Sequence, residues 1–448
     1  MRRSINQSLT EWKTKKSRMP LMIRGARQVG KSYAVKTFAA EHFNHLIEIN
    51  FEIAPEYKAA FEKLDPAWII EQITVISGQA ITPGDTLLFL DEIQECPSAI
   101  QALRYFKEKL PILHVISAGS LLEFALSEAH FRMPVGRIEF MHMHPLSFIE
   151  FLEALGEIQM LQYYETLSLK VGVSTAVHQK SLELMRLYMA LGGMPAVVNL
   201  YRQTKDLLQC RQMQVQIQNT YRNDFGKYAN QANRIHCEKL FSKAPALIAQ
   251  HFRYRDVDPD VQSRSLKVAV QLLTKAQITQ PVYQVSSIAL PLSAHLNEKK
   301  FKLLFVDIGL VQAAMKTDIG YIVRENTVLS TQGQVMEQLV GQALTAYSPN
   351  YDHVELFFWM RDKKSSQAEI DYLYQYNDKI LPLEVKSGKS GRLKSLKIYL
   401  EETNMPLGLK ISADNLYYEN NILSIPVYLL HLMHHFIEEA LKLGPANK

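Results

Sequence analysis

The feature that most constrains this 448-residue chain is an eight-residue stretch with the spacing G-x-x-x-x-G-K-S, from Gly25 to Ser32. An apolar segment of strand type, residues 20–23, precedes it, and residues 31–40 follow without a helix-breaking residue. The glycines therefore lie at a turn between a strand and a helix, the setting that a phosphate-binding loop requires. In such a loop, successive backbone N–H groups and the positive end of the helix dipole face phosphate oxygens.

The side chains of this loop predict nucleotide binding. The Lys31 ammonium would reach the β- and γ-phosphates, and the Ser32 hydroxyl would hold Mg²⁺. We therefore expect ATP and Mg²⁺ as cofactors and Lys31 as a catalytic group. The loop residues expected to contact the nucleotide are Gly25, Ala26, Arg27, Gln28, Val29, Gly30, Lys31 and Ser32.

Two acidic residues end a second apolar segment. Residues 87–90 are apolar without alternation, which is typical of a strand buried on both faces of a parallel sheet. Asp91 and Glu92 follow at the carboxyl end of that strand, where α/β sheets bind their ligands. Asp91 is placed to hold Mg²⁺, directly or through water, and Glu92 is placed to polarise the attacking water.

Three further residues are candidates for the nucleotide site. Ser120 follows a predicted strand at 112–117 and would sense the γ-phosphate or position water, unless it belongs to a plain turn. Arg132 and Arg137 precede the last predicted strand of this region, where an arginine of one subunit could reach the nucleotide of its neighbour. The protein would then be a homo-oligomer. Surface ion pairs are the alternative for both arginines.

Composition narrows the class of protein. Of the residues, 47% are apolar and 21% are charged, as in globular proteins with several cores. No apolar run approaches the roughly 18 residues that span a bilayer, and the basic N-terminus lacks the apolar core of a signal peptide. The three cysteines are too few and too far apart for a disulfide framework or a zinc site. We expect a cytoplasmic protein without a membrane partner.

Several motifs resemble those of the prokaryotic AAA+ ATPases with an uncharacterised C-terminal domain. The resemblance implies an AAA+ P-loop domain at 1–150, a helical region with a winged-helix part at 151–325, and a restriction-endonuclease-like domain at 326–448. The fold class would be α/β, with a parallel sheet covered by helices on both faces. It also implies Arg137 as the arginine that acts on a neighbouring subunit. The matching motifs are residues 24–32, 89–94, 119–122, 136–137, 145–148, 192–195, 301–303, 307–310 and 384–386.

The middle of the chain is basic. Residues 201–310 hold 16 Lys and Arg against 8 Asp and Glu, whereas the whole chain has a formal net charge of only +5. Arg264 and Lys267 lie on the second of two predicted helices, which a predicted strand pair follows as in a winged helix. On DNA they would contact phosphate before base. A protein partner, or a solvated surface, is the alternative. The predicted helices and strands cover residues 235–252, 259–277, 280–285 and 301–305.

A predicted hairpin in the C-terminal region brings acidic residues together. Strands at 369–376 and 379–386 flank Asn377-Asp378, a two-residue hairpin signal. In that register Asp371 lies opposite Glu384 on one face of the sheet, with Glu369 opposite Lys386 on the same face. Directly opposed carboxylates repel each other unless a cation or a proton lies between them.

This hairpin carries the D…E-x-K pattern of restriction-endonuclease-like folds. Asp371 and Glu384 could share Mg²⁺, with Glu337 from the preceding helix completing the coordination shell. Lys386 would orient or help to deprotonate a water. A plain ion pair between Glu369 and Lys386 is the alternative.

The sequence thus predicts Mg²⁺-dependent ATP hydrolysis coupled to DNA handling by the C-terminal module. Two other interpretations stay open: a nucleotide-dependent switch that recruits a protein partner, and an ATP-regulated, metal-dependent nuclease.

Overall fold

The computed structural model describes residues 1–122, 124, 136–324, 333–361, 368–387 and 393–444. The chain divides into two compact units. The first comprises residues 1–145, 275–277 and 348–353, and the second comprises residues 146–274, 278–347 and 354–448. No helix in these described ranges combines the length and the apolar character that crossing a membrane requires.

The first unit is built on a parallel sheet of five strands in the order β2-β3-β4-β1-β5. Every residue of β3 and β4 is buried, as the unbroken apolar segments predict. The strands are β1 (Leu21–Arg24), β2 (His45–Asn50), β3 (Thr86–Asp91), β4 (His114–Ala118) and β5 (Glu139–His142). The helices are α1 (Ile5–Thr14), α2 (Lys31–His42), α3 (Pro66–Ser77) and α4 (Pro97–Lys109), with 3₁₀ turns at Pro55–Phe61 and Ile93–Glu95.

Helices cover both faces of this sheet. Val115 on β4 belongs to a core that includes Ile69 of α3 and Leu103 of α4. The neighbouring residue His114 points to the opposite face, since strand side chains alternate, and there its ring packs edge-on against Trp12 of α1. The first unit is therefore the doubly covered α/β sheet that the sequence predicts.

The second unit begins with helices and continues into two sheets. Its helices are α5 (Phe148–Leu155), α6 (Ile158–Glu165), α7 (Thr175–Leu191), α8 (Pro195–Thr204), α9 (Leu207–Tyr228), α10 (Gln231–Lys243), α11 (Tyr254–Val257), α12 (Ser263–Lys275), α13 (Ile308–Ala314), α14 (Ile319–Arg324), α15 (Gly333–Ala346), α16 (Lys394–Thr403) and α17 (Met433–Leu443). Its strands are β6 (Thr279–Val285), β7 (Leu296–Phe305), β8 (Leu356–Met360), β9 (Glu369–Ile370), β10 (Tyr372–Tyr376), β11 (Lys379–Val385), β12 (Gly408–Ser412), β13 (Tyr417–Glu419) and β14 (Ile422–Pro426). The sheet orders are β7-β6-β8-β9 and β10-β11-β12-β14-β13.

The winged-helix prediction is not confirmed. β6 and β7 form the expected antiparallel hairpin, but β6 also pairs in parallel with β8 from the C-terminal region. The hairpin is therefore part of a larger sheet that spans the domain boundary expected near residue 325. The helix predicted at 235–252 is also too long: α10 ends at Lys243, and a 3₁₀ turn follows that contains Pro245, which has no N–H to continue the helical hydrogen bonds.

The C-terminal hairpin has the register that the sequence predicts. Tyr376 pairs with Lys379 and Tyr372 with Leu383, and Asn377 adopts the left-handed conformation of the tight turn. The strand predicted from 369 to 376 is, however, broken at Asp371. β9 pairs with β8 in one sheet and β10 pairs with β11 in the other. The predicted Glu369–Lys386 pairing is therefore wrong, and the backbone N–H of Lys386 donates instead to Ile411 at 2.8 Å.

A buried aspartate holds the glycine-rich end of α7. The backbone N–H of Gly193 donates to Asp307 Oδ2 at 2.6 Å, and Asp307 Oδ1 caps α13 by accepting from the N–H of Leu310. A Cβ on Gly192 would lie 2.0 Å from Asp307 Oδ1, so the chain needs glycine at this approach. Burial raises the pKa of Asp307 to about 6, while these backbone donors oppose the shift.

Candidate functional site

The predicted phosphate-binding loop connects β1 to α2. Gly30 adopts a left-handed conformation with φ of 94° immediately before Lys31, the first residue of α2. A Cβ on Gly25 would lie only 2.3 Å from the Met143 carbonyl oxygen, so this position requires glycine as well. Ala26 and Val29 are buried. The loop therefore places the N-terminus of α2 at the carboxyl edge of the sheet.

Lys31 lies inside this loop. Its ammonium donates to the carbonyl oxygens of Gly25 at 2.8 Å and Ala26 at 3.0 Å. Burial lowers the pKa of Lys31 to about 8, and the charges of Glu92 and Asp91 partly oppose this shift. The side chain is thus mostly charged at neutral pH.

Asp91 connects the loop to the neighbouring strands. Its Oδ2 accepts a hydrogen bond from the Ser32 hydroxyl at 2.8 Å and another from the Asn50 amide at 3.2 Å. Burial raises the pKa of the Asp91 carboxyl, and the Ser32 bond opposes this. No sequence motif marks Asn50 as part of the site, although it ends β2 directly beside Asp91 in the parallel register. The Ser32 hydroxyl and the Asp91 carboxylate fit Mg²⁺, because they are the hard oxygen ligands that this ion prefers.

Glu92 is held in an uncommon backbone conformation, with φ of 47°. Its carboxylate accepts a hydrogen bond from the Gln94 side-chain amide at 2.6 Å. The oxygen of the same Gln94 amide lies against Gly119. A Cβ on Gly119 would lie 2.1 Å from Gln94 Oε1. Gln94 Oε1 and the Ser120 hydroxyl are both buried without a hydrogen-bond partner among the described residues. Gln94 therefore connects the predicted catalytic carboxylate to the turn after β4, which carries Ser120.

Arg137 stands apart from these contacts. Arg137 Nε lies 3.2 Å from Glu108 Oε1 on α4, and 47% of the Arg137 side chain is exposed. Glu108 also pairs with Arg104 at 2.9 Å. The structure thus contains the surface ion pair that was the alternative for Arg137. Arg132 lies outside the described residues.

Two of the predicted C-terminal metal ligands, Glu337 and Asp371, lie around a lysine together with Glu369. Lys302 on β7 is almost fully buried, and its ammonium lies 2.6 Å from Glu337 Oε1, 2.6 Å from Glu369 Oε1 and 3.7 Å from Asp371 Oδ1. Burial disfavours the charged form of Lys302, but the three carboxylates outweigh burial and raise its pKa above the ordinary value. We call Lys302, Glu337, Glu369, Asp371, Glu384 and Lys386 the Lys302 cluster.

The remaining members of the Lys302 cluster lie on the hairpin. The Lys386 ammonium contacts Glu384 Oε1 at 2.5 Å, and Asp371 Oδ2 accepts from the backbone N–H of Val385 at 2.8 Å. The second oxygen of Glu384 is buried and has no hydrogen-bond partner in the described chain. Burial, together with repulsion from Asp371, raises the pKa of Glu384 to about 7.

The Lys302 cluster does not fit a metal centre as it stands. Across the described ranges, no group of three or more His, Cys, Asp and Glu side chains is arranged to hold a metal ion. The Lys302 ammonium already contacts Glu337 and Glu369, and the Lys386 ammonium contacts Glu384. No sequence motif predicts that Lys302 belongs to this site. The available signal was a single cationic residue inside an otherwise apolar strand, residues 301–305.

Three family models match separate parts of the chain. Residues 17–152 match an AAA domain. Residues 182–319 match a domain of unknown function (DUF8612), and residues 332–428 match another (DUF4143). The predicted restriction-endonuclease-like fold is not confirmed by either of these two matches. No curated protein is detectably similar to the chain in sequence.

Several solved structures are remotely similar. The Walker-type ATPase PABY2304 of Pyrococcus abyssi has 15% identity and a TM-score of 0.44, over 70% of this chain and 95% of that chain. ORC2 of Aeropyrum pernix has 12% identity and a TM-score of 0.33, over 71% and 91%. AMPPCP-bound DnaA of Aquifex aeolicus has 12% identity and a TM-score of 0.28, over 60% and 85%.

The assignment of the first unit depends on its own geometry and on the matching domain family. A glycine loop opens at the N-terminus of α2, and its serine bonds to the aspartate that ends β3. This is the arrangement in which P-loop proteins hold nucleotide phosphates. We conclude that residues 17–152, which match an AAA domain, hold the ATP-binding site and that the protein is an ATP hydrolase.

Proposed function

We propose that the protein hydrolyses ATP with Mg²⁺ and couples this reaction to DNA handling by its C-terminal module. The observation that carries the first part is the Ser32–Asp91 hydrogen bond at the N-terminus of α2, with Glu92 as the next residue. Ser32 and Asp91 would hold Mg²⁺, which supplies positive charge against the phosphates. Glu92 would accept a proton from the attacking water.

Within this proposal, Lys31 exchanges its partners when nucleotide binds. Its ammonium now donates to two carbonyl oxygens of its own loop. Phosphate oxygens carry full negative charge and therefore form stronger hydrogen bonds with an ammonium than neutral carbonyls do. Ser120 would sense the γ-phosphate, since its buried hydroxyl has no partner in the described chain.

The test is Mg²⁺-dependent ATP hydrolysis by three variants. Lys31→Ala should lose nucleotide binding, and Glu92→Gln should bind ATP but hydrolyse it at least about 100-fold more slowly. Glu95→Gln is the matched control, because Glu95 lies three residues further on and is exposed. Wild-type turnover by Glu92→Gln would refute the assigned role. Tight ATP binding with little turnover in the wild type would favour the nucleotide-dependent switch.

The coupling to DNA is supported by the surface of α12. This helix buries Leu266, Ala269 and Leu273 and exposes Arg264 and Lys267, which lie one turn apart. Neither cation forms an ion pair with another described residue, so both are available to phosphate. Exposed cations on one helix face are the electrostatic footprint of a nucleic-acid-binding surface.

This coupling is tested by measuring ATP turnover with and without double-stranded DNA at low salt. We expect stimulation in the wild type that falls with added salt and is lost in Arg264→Glu/Lys267→Glu. The control is Arg202→Glu/Lys205→Glu, an equal charge reversal at the same spacing on exposed residues at the end of α8. Equal turnover with and without DNA would direct the search to a protein partner.

A metal-dependent nuclease is the second candidate, and it would require metal to displace the ammonium groups that contact the carboxylates of the Lys302 cluster. The hairpin supports it by bringing Asp371 close enough to Glu384 for their charges to interact, with Lys386 two residues after Glu384. Cleavage of plasmid DNA with Mg²⁺ or Mn²⁺, lost in Asp371→Ala and in Lys386→Ala, would support this function. Absence of cleavage, or cleavage that survives Asp371→Ala, would exclude it.

A further inference from the structure

The strongest unexplained feature outside the nucleotide site is the position of Lys302. It comes from β7, whereas the carboxylates come from α15, from β9 and from the residue between β9 and β10. Its side chain is only 3% exposed. Two contacts of 2.6 Å to carboxylates from different elements, and a third at 3.7 Å, surround one ammonium.

Carboxyl groups outnumber ammonium groups in the Lys302 cluster. Four carboxylates, Glu337, Glu369, Asp371 and Glu384, face the ammonium groups of Lys302 and Lys386. At the rim, His251 Nε2 lies 2.9 Å from Glu369 Oε2 and shares that carboxylate with Lys302. One oxygen of Glu384 nevertheless stays buried without a partner in the described chain. The cluster therefore contains one carboxylate oxygen without a partner among the described residues, and the Lys302 ammonium already lies at its centre.

The two lysines differ in how they are held. Lys386 is 24% exposed and follows the end of β11, so it can turn toward solvent. Lys302 lies within β7, between the buried residues Phe301 and Leu303, and its ammonium also sits 5.2 Å from the ring centre of Phe358. Lys302 is thus the cation that cannot leave without a change in the strand that carries it.

We propose that Lys302 is the built-in cation of this cluster and that it excludes divalent metal from Asp371 and Glu384. These carboxylates gain metal affinity only when the Lys302 ammonium is removed or displaced. The reason is electrostatic: the Lys302 ammonium, 3.7 Å from Asp371, repels a second cation. It also occupies an oxygen of Glu337, the residue expected to complete the coordination shell. The inference concerns the carboxylates of the second candidate function but does not require that the protein cleave DNA.

Mn²⁺ binding without nucleotide tests this proposal, with free Mn²⁺ followed by electron paramagnetic resonance on the full chain. We expect Lys302→Met to bind about one more Mn²⁺ than the wild type, with a Kd of about 10⁻⁴ M or tighter. Adding Glu384→Gln to Lys302→Met should abolish that gain. Any Mn²⁺ at the nucleotide site is common to all variants and cancels in the comparison.

Lys410→Met is the matched control. Lys410 is another buried lysine of the second unit, paired with Asp414 at 2.5 Å and lying 5.6 Å from the ring centre of Tyr417. Its removal should add no Mn²⁺ site. Lys302→Gln, which keeps a hydrogen-bond donor near Glu337, replaces Lys302→Met if the latter does not fold.

Two results would overturn the proposal. One is a Mn²⁺ site in the wild type that Glu384→Gln removes, because Lys302 would then not exclude metal. The other is the absence of any gain in folded Lys302→Met or Lys302→Gln. Plasmid cleavage by the same variants is a separate measurement, so failure of the nuclease function and failure of this inference can be told apart.

Discussion

At the scale of single residues, burial controls the chemistry of Lys31. The loop encloses its ammonium, and this burial lowers its pKa to about 8, although Glu92 and Asp91 favour the charged form. Only the protonated side chain carries the charge that a phosphate requires. The affinity for ATP should therefore depend on pH in a range where an ordinary lysine would stay charged.

Raising the pH from 7 to 9 is expected to weaken ATP binding about ten-fold, because most Lys31 side chains are neutral one unit above a pKa of about 8. Titration with a fluorescent ATP analogue at each pH measures the effect. Lys31→Arg is the control, since arginine stays charged throughout this range. Its affinity should change little with pH, and an equally flat profile in the wild type would disprove the prediction.

Gln94 is expected to act as a positioning residue for Glu92. Gln94→Ala removes the 2.6 Å hydrogen bond to the carboxylate but touches none of the predicted nucleotide contacts. We expect kcat to fall about ten-fold with little change in ATP affinity. Steady-state kinetics separates the two. Glu95→Ala, at the exposed neighbouring position, should behave as the wild type. A loss of affinity without a loss of kcat would assign Gln94 to binding instead.

Sequence predicts local residues of the site better than distant ones. Lys31 and Ser32 follow from the spacing of one loop, and Asp91 follows from the end of one apolar strand. Asn50 reaches Asp91 only because β2 lies beside β3, an order that the motifs do not encode. The Gln94 contact depends on a left-handed backbone at Glu92, for which the sequence has no signal.

At the scale of elements, glycines determine how closely the helices of the second unit approach their neighbours. A Cβ on Gly193 would lie 2.2 Å from the Leu146 carbonyl oxygen. Leu146 in turn donates its backbone N–H to the Gly193 carbonyl at 2.7 Å. The added Cβ would meet backbone atoms of Leu146 rather than a flexible side chain, so the clash could be relieved only by moving the backbone.

Gly193→Ala is therefore expected to destabilise the second unit by about 1–3 kcal/mol, the usual cost of overpacking. Gly226→Ala is the control with the opposite sign. Gly226 lies within α9, where a Cβ would meet only Arg234 at 3.6 Å, and alanine should stabilise this helix by up to about 1 kcal/mol. Thermal unfolding of both variants measures the difference, and a stable Gly193→Ala would contradict the packing described here.

The C-terminal sheets show which parts of an element pattern the sequence can predict. The two-residue turn at Asn377 determines the register of β10 with β11, so the proximity of Asp371 to Glu384 follows from local residues. The passage of the chain from one sheet to the other at Asp371 cannot be predicted from the sequence, because residues 369–376 have one continuous strand pattern. For the same reason the sequence pattern predicts that Glu369 pairs with Lys386, whereas in the structure its carboxylate pairs with Lys302 and His251.

At the scale of the whole molecule, Arg137 is the residue of the first unit that is predicted to act on the nucleotide of a neighbouring subunit. Its ion pair with Glu108 joins two partly exposed side chains. Such exposed pairs are screened by water and contribute little to stability. The pair could therefore open at little cost if a second copy of the chain offered a nucleotide phosphate.

Mixing two inactive variants tests this assignment. If Arg137 acts between subunits, Glu92→Gln mixed with Arg137→Ala should recover part of the ATP turnover, because one interface in the mixture keeps both groups. Arg104→Ala is the matched control, since Arg104 pairs with the same Glu108 and should stay active alone. Lack of recovery on mixing would leave Arg137 as a surface residue.

The pairing of β6 with β8 restricts where recombination could divide this chain during evolution. The two domains of unknown function match residues 182–319 and 332–428, so the interval between them looks like a natural point for recombination. Yet a chain exchanged there would join β6 from one parent to β8 from another across four backbone-paired positions. Both halves of the sheet, and with them Lys302 and its carboxylates, should therefore pass from ancestor to descendant as one unit.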